Sequence, residues 1–352
     1  LLRKSITKII IKLLGNKNNP DQTLALYSSG LGQEINKYPA DVINLHWVAG
    51  EMLSIKEISK ISKPVIWTLH DFWAIQGIAH YDSRNYGPDT IKSIIDLEKI
   101  ALKKKIKFWK RPVHIVVPSN YVSSIIKSSE LMKDWPIKVI PNIIDTNVFQ
   151  PLDKSNCRIN SKLDVNKTII LFGAFAGIVN KNKGFEILMK ALDEININLP
   201  DNTELVIFGQ NEPLDFKYGK FKKLKWVGHI DDESQLSELY NSADIVVVPS
   251  KVEAFGLIAA EAHACGVPVV AFRHSGIQEV VSHKKTGYLA KSFDSSDFAF
   301  GILWTLNNTN SLTAFARQKA CEEWSPDIVI PKYMELYKSV YEDFSNKASS
   351  SS

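Results

Sequence analysis

Long apolar runs are missing from this chain. None approaches the roughly 18 to 20 residues that a membrane-spanning helix needs, so no span is expected. The lysine-rich opening is not followed by a cleavage site of small residues, which argues against a signal peptide. Cysteine is scarce: Cys157, Cys265 and Cys321 are far apart, odd in number and without metal-ligand spacing, which points to a reducing, cytoplasmic compartment. Asp-x-Asp does not occur, so no metal site is on display, and neither a P-loop nor Gly-x-Gly-x-x-Gly marks a standard phosphate cradle. Positive charge is in only mild excess, at +5, which gives no reason to expect a nucleic-acid partner.

What is present is globular material. With 45% hydrophobic and 23% charged residues in a chain of 352, the length exceeds what one hydrophobic core fills, so two domains are expected. Basic residues gather in Arg3 to Lys17 and in Lys103 to Arg111. Residues 1–14 place Leu2, Ile6, Ile9, Ile10, Leu13 and Leu14 on one helical face, with Arg3, Lys4, Thr7, Lys8 and Lys12 largely opposite. Such a helix packs its apolar face on its own domain, the simpler reading, or lies on an anionic membrane at its inner face.

From Asp41 strands and helices alternate. Strands are expected at Asp41 to Trp47, Pro64 to His70 and Val113 to Val117, and helices at Leu53 to Ile61 and Ile91 to Trp109. The second half repeats the plan, with strands Thr168 to Gly173, Glu204 to Gly209, Lys225 to Ile230 and Asp244 to Ser250, and helices Phe185 to Ile195 and Ser234 to Asn241. Further helices are expected at Asp294 to Asn307, Leu312 to Glu323 and Asp327 to Phe344. Alternation of this kind means α/β architecture, parallel sheets with helices on both faces and ligands at the carboxyl ends of the strands. His46 and His70 stand at two such ends, His70 just before Asp71.

The most informative stretch is Pro249 to Gly287. A β-branched strand leads into Glu253-Ala-Phe-Gly-Leu-Ile-Ala-Ala-Glu261, a helix over Leu257 to Cys265 ends at Gly266, and a second strand covers Pro268 to Phe272. A helix opened by Gly256 presents bare N–H groups and a partial positive charge, which suits a phosphate or a hydroxyl close to backbone. Glu253 lies in the loop. Glu261 sits a turn into a helix of small apolar residues, where a carboxylate needs a partner. Upstream, Asn180-Lys-Asn-Lys183-Gly184 follows a strand and a small-residue loop and opens a helix, another phosphate-friendly arrangement.

Taken together, Glu-x7-Glu around Phe255-Gly256, Ala264-Cys-Gly-Val-Pro-Val-Val270, Ser275-Gly276-Ile-Gln-Glu279 and Thr286-Gly287-Tyr288 resemble the donor-site block of the retaining, family 4 glycosyltransferases of group 1. The segment from His46-Trp47 to His70-Asp71-Phe-Trp73 is similar to the first domain of polysaccharide-synthesis members. The resemblance implies a GT-B fold, two Rossmann-like domains facing across a cleft. These are expected over 1–150, on the acceptor side, and 151–326, on the nucleotide-sugar side; a terminal helix, 327–344, packs back on the first domain, and a disordered tail covers 345–352.

It also implies metal-independent, cofactor-free transfer of a sugar from a nucleotide-diphosphate sugar to a glycan or lipid-linked acceptor. His70 and Glu253 would contact the donor sugar, Lys183 the diphosphate and Glu261 the ribose. Phe255, Gly256, Leu257 and Gly184 would line the helix openings, and His229 and Ile230 would meet the base through backbone. For His46 a structural or acceptor-side role is open. Many members carry an Arg where Ala174 and Phe175 stand, and Lys181 does not reproduce an arginine fork. Members also begin with a strand and a Gly-Gly loop that has no counterpart here, since Gly30-Leu-Gly32 does not follow a clear strand. A noncatalytic or truncated nucleotide-sugar-binding paralogue is therefore the alternative, and a sugar-nucleotide epimerase a more distant one.

Overall fold

The computed structural model describes residues 2–14, 22–81, 96–173, 180–214, 216 and 219–350. They divide into two compact units, Leu1–Ile140 with Pro331–Ser352, and Pro141–Ile330, so the division falls at 140/141 where the sequence suggested 150.

The first unit carries α1 (Leu2–Leu14), α2 (Leu31–Lys37), β1 (Ile43–Leu45), α3 (Ile55–Ile58), β2 (Val65–Thr68), α4 (Leu97–Phe108), β3 (His114–Val117), α5 (Asn120–Lys127) and β4 (Ile137–Val139). Its strands form one parallel sheet in the order β1-β2-β3-β4. The helix expected over Leu53 to Ile61 is a single turn that starts after Ser54, which caps it: its hydroxyl accepts from Glu57 N–H while the Glu57 carboxylate accepts from Ser54 N–H. Residues 91–95 of the expected long helix lie outside the described residues, and α4 starts after Asp96, whose side chain caps Lys99 N–H.

Two basic stretches behave differently from a charged surface. In α1 the apolar face is split: Ile10, Ile11 and Leu14 pack on Leu24, Ile78, Leu97 and Ala101, while Ile6, Ile9 and Leu13 stay exposed. In α4, Lys105 is fully buried, donating to the carbonyls of Trp73, Gln76 and Gly77, with its ammonium 3.8 Å above the Trp73 ring. Burial holds its pKa well below the usual lysine value. It is a brace for the chain leading to His80.

The second unit carries α6 (Lys154–Asn160), β5 (Thr168–Gly173), α7 (Phe185–Ile195), β6 (Thr203–Phe208), β7 (Leu224–Gly228), α8 (Glu233–Ser242), β8 (Ile245–Val248), α9 (Leu257–Ala264), β9 (Val269–Phe272), α10 (Ile277–Val280), β10 (Gly287–Ala290) and α11 (Ser295–Trp324). Its sheet is parallel throughout, in the order β10-β9-β8-β5-β6-β7. Side chains alternate across each strand into two cores. Ile169 and Leu171 join Val246, Val248, Val269 and the alanines of α9 on one face. Ile170 and Phe172 join Ile245, Val247, Val270, α7 and Phe298 of α11 on the other. Strands buried on both faces read as continuous β-branched runs, which is why they were legible. α7 leaves β5 to one face and α9 leaves the neighbouring β8 to the other, so the carboxyl ends of β5 and β8 mark the switch point of the sheet, where folds of this kind take their ligands.

Two expectations need correction. The helices over 294–307 and 312–323 are one helix, α11: no Gly or Pro stands in the joining stretch 308–311, and the polar run bonds back onto the helix, Asn308 to Trp304 O and Thr313 to Thr309 O. The tail from 345 is helical to Ser350 as the end of α12 (Pro326–Ser350), with Ser345 and Ser349 donating to the carbonyls of Tyr341 and Ser345.

Glu57 is heavily bonded: it accepts from the N–H groups of Ser29, Gly30 and Ser54 and from the hydroxyls of Ser29 and Ser54. Burial pushes its pKa upward, but the backbone N–H groups of Ser29 and Ser54 and the serine hydroxyls outweigh this and hold it at about 2 against an ordinary 4.5. A depressed carboxylate stabilises fully above the unfolded value and loses its contribution as pH falls through the folded one. Urea unfolding should therefore show the first unit losing about 2–3 kcal/mol between pH 4.5 and 2. Glu57→Gln should lose about 2 kcal/mol at neutral pH and flatten that slope; an unchanged slope would show that the bonds carry no net stability.

Candidate functional site

The site in the second unit is built on a close approach of backbone. Gly184 adopts φ 68° between a 3-10 turn, Lys181–Lys183, and α7, and a Cβ there would lie 2.0 Å from Pro249 O at the end of β8. Asn182, buried, stitches the two loops further: its side chain donates to Val252 O at 3.0 Å, and its carbonyl accepts from Lys251 N–H at 2.7 Å. This brings Lys183 Nζ within 2.8 Å of Glu253 Oε1, both mostly shielded. Glu253 is held in turn by Ser275, whose hydroxyl accepts from Glu253 N–H at 3.0 Å, while Gly276 N–H donates to Glu253 O at 2.8 Å. Ser275 is buried and sits at φ 63°, a left-handed conformation unfavourable for a non-glycine residue.

Gly256, at φ 107°, opens α9 with its first N–H groups bare of any side-chain cap. The Phe255 ring is buried edge-on against Trp324 at 5.7 Å, so its share of the opening is backbone, while Leu257 is exposed. Glu261 lies one turn in, with Tyr240 OH donating to its Oε2 at 2.7 Å. Burial raises the Glu261 pKa to about 7; the tyrosine bond works against that rise and Glu233 adds to it. At the far edge of this sheet, His229 and Ile230 follow β7, and His229 Nε2 is 2.9 Å from Asp231 on an exposed surface. Ala174, Phe175 and the loop through Gly177 lie outside the described residues.

In the first unit, His46 and His70 follow the paired strands β1 and β2. Their rings, 5.3 Å apart and 21° from parallel, meet edge to edge, with His46 Nδ1 3.0 Å from His70 Nε2. One nitrogen donates and the other accepts, so the bond requires at least one neutral ring. Burial lowers both pKa values; for His70 the neighbouring His46 lowers it further and Asp71 opposes.

The structure thus brings Lys183, Gly184 and Glu253 together, sets Glu261 in the adjoining helix, and keeps His229 and Ile230 at another strand end. Sequence reasoning missed Asn182, Ser275 and Tyr240. The first two lie inside motifs already singled out, where only their backbone setting reveals a role. Tyr240, 21 residues before Glu261, carried no local signal. A carboxyl with an ordinary value of 4.5 raised to about 7 costs stability as pH rises between those values. Glu261→Gln should flatten that part of the urea-unfolding profile and gain about 2 kcal/mol above pH 7; a profile matching the parent would mean that the carboxyl is not desolvated.

Residues 154–320 match the family described as Glycosyl transferases group 1, and residues 5–148 match Glycosyltransferase Family 4. A D-inositol 3-phosphate glycosyltransferase of Catenulispora acidiphila is 31% identical over 49% of this chain and 43% of its own length. The chain spans about two fifths of the length of the first such relatives. An uncharacterized 41.2 kDa protein in the cps region of Klebsiella pneumoniae is 24% identical over 86% of this chain and 80% of its own. Among solved structures, sucrose-phosphate synthase of Thermosynechococcus elongatus aligns with TM-score 0.72, 20% identity and coverage of 89% and 77%. HepE of Anabaena, solved with UDP-glucose, aligns with TM-score 0.62, 18% identity and coverage of 92% and 81%. Likeness at this identity shows the fold: two Rossmann-like parallel sheets, GT-B.

Proposed function

Because the chain belongs to the group 1, family 4 glycosyltransferases, we propose that it moves a sugar from a nucleotide-diphosphate sugar to a glycan or lipid-linked acceptor in cell-surface polysaccharide synthesis, with retention at the anomeric carbon. The observation that carries this is the Lys183–Glu253 pair at the switch point of the second sheet. In the structure each charge neutralises the other, and both are mostly shielded from solvent. An arriving donor exchanges partners: its diphosphate takes the ammonium and its sugar hydroxyls take the carboxylate, so neither charge is left unpaired. As the bond to the sugar breaks, negative charge grows on the diphosphate. Lys183 and the bare N–H groups opening α7 and α9 meet that charge without reorganising, which is electrostatic stabilisation by fixed groups. In a front-side path the departing phosphate takes the acceptor proton, so no protein base is needed.

Glu261 would hold the ribose. Its raised pKa gives nucleotide binding a pH dependence, because ribose hydroxyls donate best to the carboxylate and affinity then rises with pH through about 7. His70, oriented by His46, would touch the donor sugar, and His229 and Ile230 the base. A cytoplasmic setting at the inner face of the membrane fits the exposed Ile6, Ile9 and Leu13 of α1, which lie beside lysines of the same helix. Among the described residues no helix is long and apolar enough to cross a membrane. The Klebsiella relative's place in a cps region and the UDP-glucose bound to HepE support the same reading.

The test is thermal shift of the full chain against UDP, GDP, ADP and CDP sugars, where one donor at about 100 times its Kd should add roughly 2.7 kcal/mol. No shift with any of them would sink the donor-site reading. Lys183→Ala should lose about 2 to 4 kcal/mol of transition-state stabilisation. Glu261→Gln should weaken even the free nucleotide, whereas Glu253→Gln should spare it and slow transfer; equal effects on nucleotide alone would refute that division of labour.

A further inference from the structure

The amino-terminal end of the first unit's sheet, opposite the strand ends that lead to His46 and His70, holds a concave site of its own. A cavity of about 210 Å³ opens where β2 and β3 begin, between those strands and the carboxyl ends of α3 and α4. Buried Trp67 and Trp109 form its inner wall, and half-buried Phe108 and Trp135 its outer one. The inner wall is fixed: the two indoles meet edge to face at 5.1 Å and 75°, and Trp109 Nε1 donates to Ile55 O at 2.8 Å. Gaps in packing are rarely larger than a water molecule, and an apolar cavity of about 150 Å³ already takes up benzene. This one has room for a ring system of indole size.

Arg111, exposed, stands at the mouth. Its Nη2 donates to Ile61 O at 2.6 Å and to Lys63 O at 3.4 Å, which anchors the guanidinium by one nitrogen and leaves the others of its fork to a ligand. On its far side a cavity of about 390 Å³ shares Val65, Arg111 and Val113 with the first and adds Lys63, His114 and Lys347 against one carboxylate, Asp343. The mouth is therefore positive and the interior aromatic, the combination of apolar walls and a few placed polar groups that holds a small ligand. Indole walls favour another ring, met edge to face. An anchored guanidinium selects a planar anion.

We propose that this cavity binds a small aromatic carboxylate, its ring among Trp67, Trp109 and Trp135 and its carboxylate on Arg111. The site lies within the first unit and does not depend on the transferase reading. The probes are indole-3-acetate, its neutral counterpart 3-methylindole, and acetate, titrated into the full chain by calorimetry and followed by saturation-transfer NMR. Indole-3-acetate should bind, 3-methylindole about tenfold or more weaker, and acetate not detectably. Arg111→Met should bring indole-3-acetate down to the level of 3-methylindole. Val113→Phe, which fills the cavity, should abolish binding of both indoles, and Ser59→Trp, which closes it from the exposed rim without entering the core, should do the same. Equal affinity for the two indoles in the parent would overturn the assignment, as would indole-3-acetate binding unchanged in Arg111→Met or in both cavity-blocking variants, or no binding of either indole by the folded parent. Acetate binding as tightly as indole-3-acetate would leave the aromatic cavity without a part in recognition and overturn it as well.

Discussion

The second unit depends on one close approach: backbone at Gly184 pressed against Pro249 O, at a distance that any side chain at 184 would forbid. Everything that gives the site its charge follows from it. Two loops from neighbouring strands are drawn together, Asn182 stitches them, and Lys183 and Glu253 meet at 2.8 Å. The ion pair by itself says little about stability, since desolvation offsets most of its attraction. Its value under the proposed function is positional: both side chains are already in place, and less ordering is left to donor binding.

Two kinds of buried ionisable group can be told apart among the described residues by what satisfies them. Lys105 is held by three carbonyls, Glu57 by three N–H groups and two hydroxyls, and Glu98 by the N–H groups of Ile78 and Ala79. Backbone partners of that kind cannot be exchanged without unfolding the segment that bears them, so these charges are structural. Glu253, Glu261 and His70 are met by side chains, Lys183, Tyr240 and His46. A side-chain partner can turn away when a better one comes. The residues assigned to substrate from motif alone lie in the exchangeable group, a physical property that the motif does not encode.

That division also explains what could be read from the sequence. Strands buried on both faces announce themselves as β-branched runs, and helix openings as glycines, so the parallel architecture and the placement of Lys183, Gly184, Glu253 and Gly256 were legible. Side chains that meet across long separations were not. Tyr240 and Glu261 are 21 residues apart, and Thr23 and His80 are 57 apart, with no periodicity linking either pair. Local polarity misled in α11, where an Asn- and Thr-rich run bonded to its own helix instead of breaking it, and in α4, where a lysine among lysines proved to be buried. In α1 the apolar residues made one stripe on paper, but packing took only Ile10 and Leu14 of it and left Ile6, Ile9 and Leu13 exposed, because burial follows the neighbours available and not the helix alone.

The two sites differ in how they are made, and this bears on how each can change. The site around Lys183 and Glu253 is assembled on an approach of Gly184 to Pro249 O that only glycine permits, so its spacing is rigid. The first-unit cavity is walled by side chains from separate parts of the chain, 58–59, 65–67, 108–113 and 135, held by the β2–β3 ladder and the Ser54–Glu57 capping box. Exchanging Phe108 or Trp135 would alter its lining without touching that ladder or that cap. The constraints that hold the chain lie apart from such side chains, so the lining can vary while the fold stays.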